Sequence, residues 1–131
     1  MNNYALRLSA LNGHEKVVSF LLEKHADARV DDNFPLRQSV MNVNKAAKRL
    51  LVIVRSNDGD GDDLSIHKAA QNFRSYFQVV RLLLKFYTAE AIHALVENFP
   101  ELRQFCQIPT YNQDKFDDMS AADLVQLAFY F

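Results

Sequence analysis

The chain has 131 residues, of which 49% are apolar and 24% are charged, and its formal net charge is −1. This length and composition indicate one globular domain, the near-neutral charge gives no electrostatic basis for nucleic-acid binding, and no apolar run reaches the ~20 residues of a membrane span. A single cysteine, Cys106, excludes an intrachain disulfide and favours a reducing compartment.

The most informative stretch is NGHEKVVSFLLEKHAD, residues 12–27. Gly13 can adopt the positive φ that closes a helix, and His14 and Glu15 then begin the next one. The aliphatic residues that follow at helical spacing predict one apolar stripe; they are Val17, Val18, Leu21 and Leu22. The stretch therefore predicts a tight turn between two helices.

A shift of 30 residues aligns Leu6 with Leu36, and a second shift aligns Leu36 with Ile66. Small residues align one turn later, as the pairs Ser9–Ala10, Ser39–Val40 and Ala69–Ala70. Small side chains at these places allow close packing of neighbouring helices. Because no single helix pair can bury both its faces, we expect the units to stack.

These residues resemble the ankyrin repeat. Residues 13–27 are similar to the family pattern G-H-x-x-V-V-x-L-L-L-x-x-G-A-D, with His25 at the loop glycine, and LSIHKAAQN stands in place of T-P-L-H-x-A-A. The resemblance implies an all-α, ankyrin-like helical-hairpin solenoid forming a single domain over residues 1–131. It implies about three repeats, at 3–30, 33–54 and 64–87, followed by an irregular helical part at 88–131. It also implies structural hydrogen bonding for His14 and His67.

The second and third repeats depart from the family pattern. Val43 and Asn44 replace the Gly-His of the turn, and the apolar run at 50–54 fits a buried strand or a helix, with the repeat alignment favouring a helix. In the third repeat, the V-V-x-L-L-L pattern begins two residues late, at Val79. We therefore expect FRSYF, residues 73–77, to form a lengthened turn between two helices.

The acidic stretch RSNDGDGDDL between these repeats predicts a solvated finger loop. Asp58, Asp60 and Asp62 also match positions 1, 3 and 5 of an EF-hand calcium loop. However, Asp63 stands where that loop needs glycine, and Ala69 stands where it needs a bidentate glutamate. A calcium-responsive regulator therefore remains an alternative function.

The last part of the chain carries several helix signals. Thr88 is a predicted N-cap, and Pro100 is suited to begin a short helix. The expected apolar faces of these two helices are Ile92, Leu95, Val96 and Phe99, and Leu102, Phe105 and Cys106. Residues 107–115 are predicted to be a loop.

A final helix is expected to begin at Ser120, with Asp123 completing a capping box. It ends in Phe129, Tyr130 and Phe131. Either these aromatic residues fold back over the last repeat, or another chain covers them.

The sequence offers no nucleophile–base pair, metal-ligand cluster or phosphate loop, so it predicts a protein that is not an enzyme and needs no cofactor or metal. Cys106 is interpreted as a packed thiol, and the cluster Lys45, Lys48 and Arg49 as a solvated helix face.

With no catalytic or metal site predicted, the function is expected to lie on the protein surface. The repeat resemblance implies a protein partner of unknown identity, bound by the concave inner-helix face and the finger loops. The positions implied by the resemblance are Leu8, Leu11, Asn12, Asp32, Phe34, Gln38, Met41, Asn42, Lys68, Gln71 and Asn72. The alternative is a homo-oligomer formed through the apolar C-terminus. The expected location is the cytoplasm, or the host cytoplasm if the chain is a secreted effector.

Overall fold

The computed structural model describes residues 2–56, 64–106 and 119–131, and this part of the chain is predominantly helical, without a strand. The helices are α1 (Asn2–Leu11), α2 (Glu15–Glu23), α3 (Val30–Ser56), α4 (Leu64–Leu84), α5 (Ala89–Asn98), α6 (Pro100–Cys106) and α7 (Ala121–Ala128). The all-α class is therefore confirmed. Within the same ranges, no helix combines the length and the apolarity needed to cross a membrane.

Helices α1 and α2 form the predicted hairpin. Gly13 has a φ of +71°, its N–H donates to the carbonyl of Ala10 over 3.2 Å, and the N–H of His14 donates to the carbonyl of Ser9 over 2.9 Å. These two bonds form a Schellman motif, which satisfies carbonyls that the end of α1 would otherwise leave without partners. His25, at the predicted glycine place, has a φ of +68°.

The apolar stripe of α2 is narrower than predicted. Val18, Leu21 and Leu22 are buried, but Val17 is 47% exposed. Val17 therefore does not contribute to the core.

The repeat alignment implies a turn at Val43–Asn44, in the place of Gly13–His14. The structure has no turn there, because both residues lie inside the 27-residue helix α3. Five apolar residues of α3 are completely buried, and their spacing alternates between four and three: Leu36, Val40, Val43, Ala47 and Leu50. This seam is continuous through the expected turn, and no glycine interrupts it. Residues 50–54 are correspondingly helical rather than a strand.

The turn expected at 73–77 is wrong as well, because α4 runs unbroken through it. Phe73 and Phe77 are buried, at 0% and 3% exposure. They extend the seam that begins at Ile66 and Ala70, again with spacings of four and three. A turn would have exposed these aromatic side chains, whereas a helix buries them on the same face as the alanines.

Helix α4 runs antiparallel to α3. The hydroxyl of Tyr87, just after α4, donates to Oδ1 of Asn33 near the start of α3 over 2.6 Å. At the other end, Ala69 and Arg49 line the same small cavity. Helix α4 also packs against α2, so it lies on the side of α3 where the outer helix of a second hairpin would be expected.

The predicted equivalence of Leu6, Leu36 and Ile66 therefore holds in part. Arg7 lies near Phe34, and Leu11 lies near Asn42, so α1 and the first half of α3 run parallel, with Leu6 and Leu36 both fully buried. Ile66 is also buried, but it lies in an antiparallel helix and is not equivalent to them. The assignment of 33–54 and 64–87 as repeats in the sequence stays a prediction.

The predicted starts of α5, α6 and α7 are confirmed. The hydroxyl of Thr88 accepts a hydrogen bond from the N–H of Ala91 over 3.1 Å, and α6 begins at Pro100. Ser120 and Asp123 form both hydrogen bonds of a capping box at the start of α7. Such caps each contribute about 1 kcal/mol, because they satisfy N–H groups that the first turn of a helix leaves without partners.

Phe131 folds back onto the protein. Its ring centre lies 5.9 Å from that of Phe73, 6.5 Å from that of Phe77 and 6.3 Å from that of Phe105. These four rings connect the end of the chain to α4 and α6. Phe129 and Tyr130 are 58% and 49% exposed, so the fold-back involves only the last of the three aromatic residues.

Candidate protein-binding face

The predicted binding residues of α1 lie on its outer side. Leu8 is 47% exposed, Asn12 is exposed and Leu11 is half-buried. The Nδ2 group of Asn12 donates to the carbonyl of Leu8 over 2.9 Å. This bond fixes the Asn12 side chain along the end of α1, beside the apolar surface that Leu8 presents.

The predicted residues of α3 continue this surface. Phe34 and Met41 are 37% and 36% exposed, and they lie two helical turns apart, on the same side of α3. Gln38 is half-buried between them. Asp32 belongs to the first turn of α3, and its side chain lies outside the described part of the chain.

One hydrogen bond joins these two sets of residues. The Nδ2 group of Asn42 donates to the carbonyl of Leu11 over 3.1 Å. That carbonyl belongs to the last turn of α1 and has no partner within the helix, so the Asn42 amide satisfies it. The bond therefore fixes the end of α1 against the middle of α3 and makes their exposed sides continuous.

Two residues that the sequence analysis did not select belong to the same surface. Tyr4 is 64% exposed, and the Arg7 guanidinium lies 5.5 Å from the centre of the Tyr4 ring and 5.8 Å from that of Phe34. Arg7 thus bridges α1 and α3 through cation–π contacts. Tyr4 could have been found from its position one turn before Leu8. We define the α1–α3 face as Tyr4, Leu8, Leu11, Phe34 and Met41.

The α4 residues of the predicted set divide into two groups. Asn72 lines a cavity of about 230 Å³ together with Asn42, so it borders the α1–α3 face. Lys68 and Gln71 are exposed nearer the start of α4. Because α4 is antiparallel to α3, that end lies beside the second half of α3, away from α1. The structure therefore does not bring the predicted residues together on one concave surface.

The cavity between Asn42 and Asn72 has a basic lining. Lys45 and Arg49 contribute side chains to it, and Tyr76 lies on its α4 side. Lys45 and Arg49 are exposed, as expected for a solvated helix face. Their charges border the apolar α1–α3 face and would favour a negatively charged neighbour.

In the described ranges, no group of three or more His, Cys, Asp or Glu residues is arranged to hold a metal ion. His14 begins α2 without a side-chain capping hydrogen bond, and His67 is exposed on α4. With the residues that the structure describes, neither imidazole forms the structural hydrogen bond that the ankyrin resemblance implies. Asp58, Asp60 and Asp62 lie outside the described residues, so the calcium interpretation stays a prediction.

Cys106 is exposed, and its predicted packing on the apolar side of α6 is wrong. Leu102 and Phe105 occupy the buried side of that short helix, which turns the next residue outward. Desolvation of the sulfur raises the pKa of the Cys106 thiol. A raised pKa lowers the thiolate fraction at neutral pH, which is the opposite of what an activated nucleophile requires.

The fold and this surface define an all-α protein that begins with a helical-repeat hairpin and exposes an apolar face beside it. Residues 1–33 match the family model for the ankyrin repeat. The match covers the α1–α2 hairpin and the start of α3, so the resemblance seen in the sequence is confirmed for this segment. Comparison with curated proteins and comparison with solved structures gave no match. Ankyrin repeats are generally protein–protein interaction modules and are typically not enzymes.

Proposed function

We propose that this chain is a non-enzymatic module, a single domain over residues 1–131, that binds a protein partner through the α1–α3 face. The observation that carries the proposal is the continuity of that face: exposed apolar side chains from two helices are joined by Arg7 and by the Asn42–Leu11 hydrogen bond. The ankyrin match at 1–33 supports the same class of function.

The chemistry of the face suggests the kind of partner. Apolar and aromatic residues in the centre of a surface patch are typical of binding sites, and they give most affinity when they fill a pocket or pack on a helix. Lys45 and Arg49 border one side of the face. We therefore expect a partner segment that presents an apolar anchor flanked by a carboxylate.

The experiment is affinity capture from a cytoplasmic lysate with the wild-type chain and with Leu8→Glu and Met41→Glu variants. Each charge would have to be desolvated on binding, so we expect capture of the specific partner to fall about tenfold or more. Val52→Glu is the matched control, because Val52 is 59% exposed on the second half of α3, away from the face. Undiminished capture by both face variants would contradict the proposal.

A homo-oligomer is a second candidate, favoured by the exposure of Phe129 and Tyr130 at 58% and 49%. Two adjacent exposed aromatic residues next to a packed ring are suited to contact a second copy. Light scattering over a range of concentrations tests this. A Phe129→Ser, Tyr130→Ser variant should be monomeric where the wild type is not, and a monomeric wild type at high concentration would exclude the candidate.

A further inference from the structure

The cavity between Asn42 and Asn72 lies where helix α3 faces α4, and its volume is about 230 Å³. Ala46 and Ala69 are among the residues that line it, and their short side chains leave space between the two helices. We call it the α3–α4 cavity. Pockets that enclose a whole drug-sized ligand have volumes of about 300–1,000 Å³, so this cavity suits a single group that projects from a larger molecule.

Both helices contribute hydrogen-bond donors to the cavity. Lys45 and Arg49 lie one helical turn apart on α3. Asn72 and Tyr76 lie one turn apart on α4. The polar groups of these four side chains form no hydrogen bond or ion pair with any residue that the structure describes. Within those ranges, an ammonium, a guanidinium, a carboxamide and a phenol hydroxyl are therefore available to a ligand.

The remaining polar residue of the cavity, Asn42, is already engaged. Its Nδ2 group donates to the carbonyl of Leu11 over 3.1 Å, and its Oδ1 accepts a hydrogen bond from Nε2 of Gln38 over 3.5 Å. Asn42 therefore holds the edge of the cavity in position and adds no donor to it. Because Leu11 belongs to the α1–α3 face, the same residue joins the cavity to that face.

The charge of the cavity is positive. None of the described residues that line it is acidic, and the sequence has no acidic residue in α1, in α4 or from residue 33 to 56 of α3. Lys45 and Arg49 supply two positive charges whose backbone positions are about 6 Å apart along α3. A ligand group with more than one negative charge is therefore favoured.

We propose that the α3–α4 cavity binds the phosphoryl group of a phosphorylated side chain in the protein partner. This inference rests on the proposed function and specifies the anion that flanks the partner's apolar anchor. A carboxylate has two oxygens and one charge. A phosphoryl group has three terminal oxygens and a charge of about −1.5 to −2, which matches two cations and two neutral donors more closely.

The position of the cavity beside the face gives the spacing within the partner. Met41 of the face and Lys45 of the cavity are four residues apart on α3, and both are exposed. Their backbone positions are therefore about 6 Å apart along the helix. Residues two positions apart in an extended segment, or four apart in a helix, span about the same distance. We expect the apolar anchor of the partner at one of these two spacings from the phosphorylated residue.

The first test is an NMR titration of the whole, isotope-labelled chain with N-acetyl-O-phosphoserine N-methylamide, in a buffer without phosphate or sulfate. This probe has no apolar anchor, so its binding does not depend on the α1–α3 face. We expect saturable shifts of the Asn72 and Tyr76 signals. Lys45→Gln and Arg49→Gln should each lower the affinity by about fivefold or more, because each removes charge-assisted hydrogen bonds. Arg55→Gln is the matched control, since Arg55 is exposed in the last turn of α3 and does not line the cavity.

Circular dichroism checks that each variant is folded, which we expect because all three substituted residues are exposed. The corresponding aspartate derivative, N-acetylaspartate N-methylamide, should bind at least about fivefold more weakly than the phosphorylated probe, because it offers fewer oxygens and less charge. Equal affinity for the two probes, shifts that do not saturate, or equal weakening by Arg49→Gln and Arg55→Gln would overturn the proposal.

Affinity capture separates this inference from the proposed function. Treatment of the lysate with an active phosphatase, compared with an inactivated one, should lower capture of the partner that Leu8→Glu and Met41→Glu also lose, by about fivefold or more. Capture that both face variants diminish and the phosphatase does not would overturn the phosphoryl ligand and leave the proposed function intact. Undiminished capture by both face variants would contradict the proposed function and, with it, the assignment of the phosphoryl group to a partner.

Discussion

The first 27 residues and the segment 30–56 resemble each other in sequence but fold differently. In the first, the chain reverses at Gly13 and forms the α1–α2 hairpin; in the second, it continues as the single helix α3. Leu6 and Leu36 are both fully buried in helices that run side by side. The two regions therefore begin alike and diverge only where one has Gly13 and the other has Val43.

The two segments differ at the point of divergence in what their backbone can adopt. Gly13 adopts a φ of +71° and permits the two Schellman hydrogen bonds, a conformation that costs a β-branched residue more than most. Val43 instead extends a buried seam. Once α3 does not reverse, α4 must cover it, and the first hairpin then packs against α4 rather than against a second hairpin.

The largest effect that tests this comparison is expected at Phe73. If residues 73–77 formed a turn, Phe73→Ala would cost little; in the helix α4 the side chain is fully buried. We expect the free energy of unfolding to fall by about 3–5 kcal/mol, from lost burial and from the cavity left behind. Urea unfolding measures this. Phe86→Ala is the control, since Phe86 is 51% exposed, and equal effects of the two substitutions would contradict the placement of Phe73.

A proline at position 44 tests the continuity of α3 directly. Asn44→Pro removes a backbone donor inside the helix and places the ring against the preceding turn, so we expect a loss of about 3 kcal/mol. A turn at 43–44 would accept proline with a much smaller loss. The comparison is made by urea unfolding against Asn44→Ala, which keeps the backbone donor and should stay close to the wild type.

The contact between Tyr87 and Asn33, which fixes the antiparallel helix pair, predicts a pH dependence. Burial is the main cause that raises the pKa of Tyr87 to about 12, from an ordinary value of 10.0. Below pH 10 the phenol is neutral in both the folded and the unfolded state, so its full contribution to the free energy of unfolding is present. Between pH 10 and 12 the unfolded chain loses the proton first, so stability falls, by up to about 2 kcal/mol.

Urea unfolding at pH 9 and at pH 11.5 measures this loss. Tyr87→Phe lacks the titrating group, so its stability should fall less over the same interval. Tyr130→Phe, at a residue that is 49% exposed, should behave like the wild type. The same slope in wild type and Tyr87→Phe would show that the phenol is not buried as described.

The smallest effect concerns the turn of the first hairpin. In Gly13→Ala, the alanine would have to keep the positive φ of this position, and its methyl group would lie 3.0 Å from the Tyr76 ring. We therefore expect the free energy of unfolding to fall by about 1–2 kcal/mol. Gly13→Asn tolerates the backbone conformation but keeps the contact with Tyr76, so the difference between the two variants measures backbone strain alone. Thermal unfolding of the three proteins is sufficient, and identical values for all three would contradict this account of the turn.

Local rules predicted the ends of helices well. Gly13, Thr88, Pro100 and the Ser120–Asp123 pair all lie at the helix ends where the sequence placed them, because each acts on backbone groups within one turn. The 30-residue alignment failed at 43–44 and 73–77 because it aligned the starts of the units and assumed turns after them. The alternating spacing of four and three from Leu36 to Leu50 was present in the sequence and indicates an unbroken helix.

The surface was less predictable than the helices. The exposed positions Leu8, Phe34 and Met41 could be found from the repeat alignment, because α1 and the first half of α3 do run parallel. Lys68 and Gln71 could not be placed, since the direction of α4 depends on whether α3 reverses. The cleft between the start of α3 and α5 has no linear signal at all: its lining residues Arg29, Arg37 and Asn98 meet only because α4 returns along α3 and α5 follows it.

The most direct test of the fold is a distance between two spin labels on α3, placed at the exposed positions Phe34 and Val52 in a Cys106→Ser background. These residues are 18 positions apart, so in one continuous helix their backbones are separated by about 27 Å, at about 1.5 Å per residue. Pulsed electron–electron double resonance should therefore give a single distance distribution centred near that value. If the segment reverses at 43–44, the labels would lie on two packed helices whose axes are roughly 10 Å apart, and a distribution centred below about 20 Å would contradict the continuous helix.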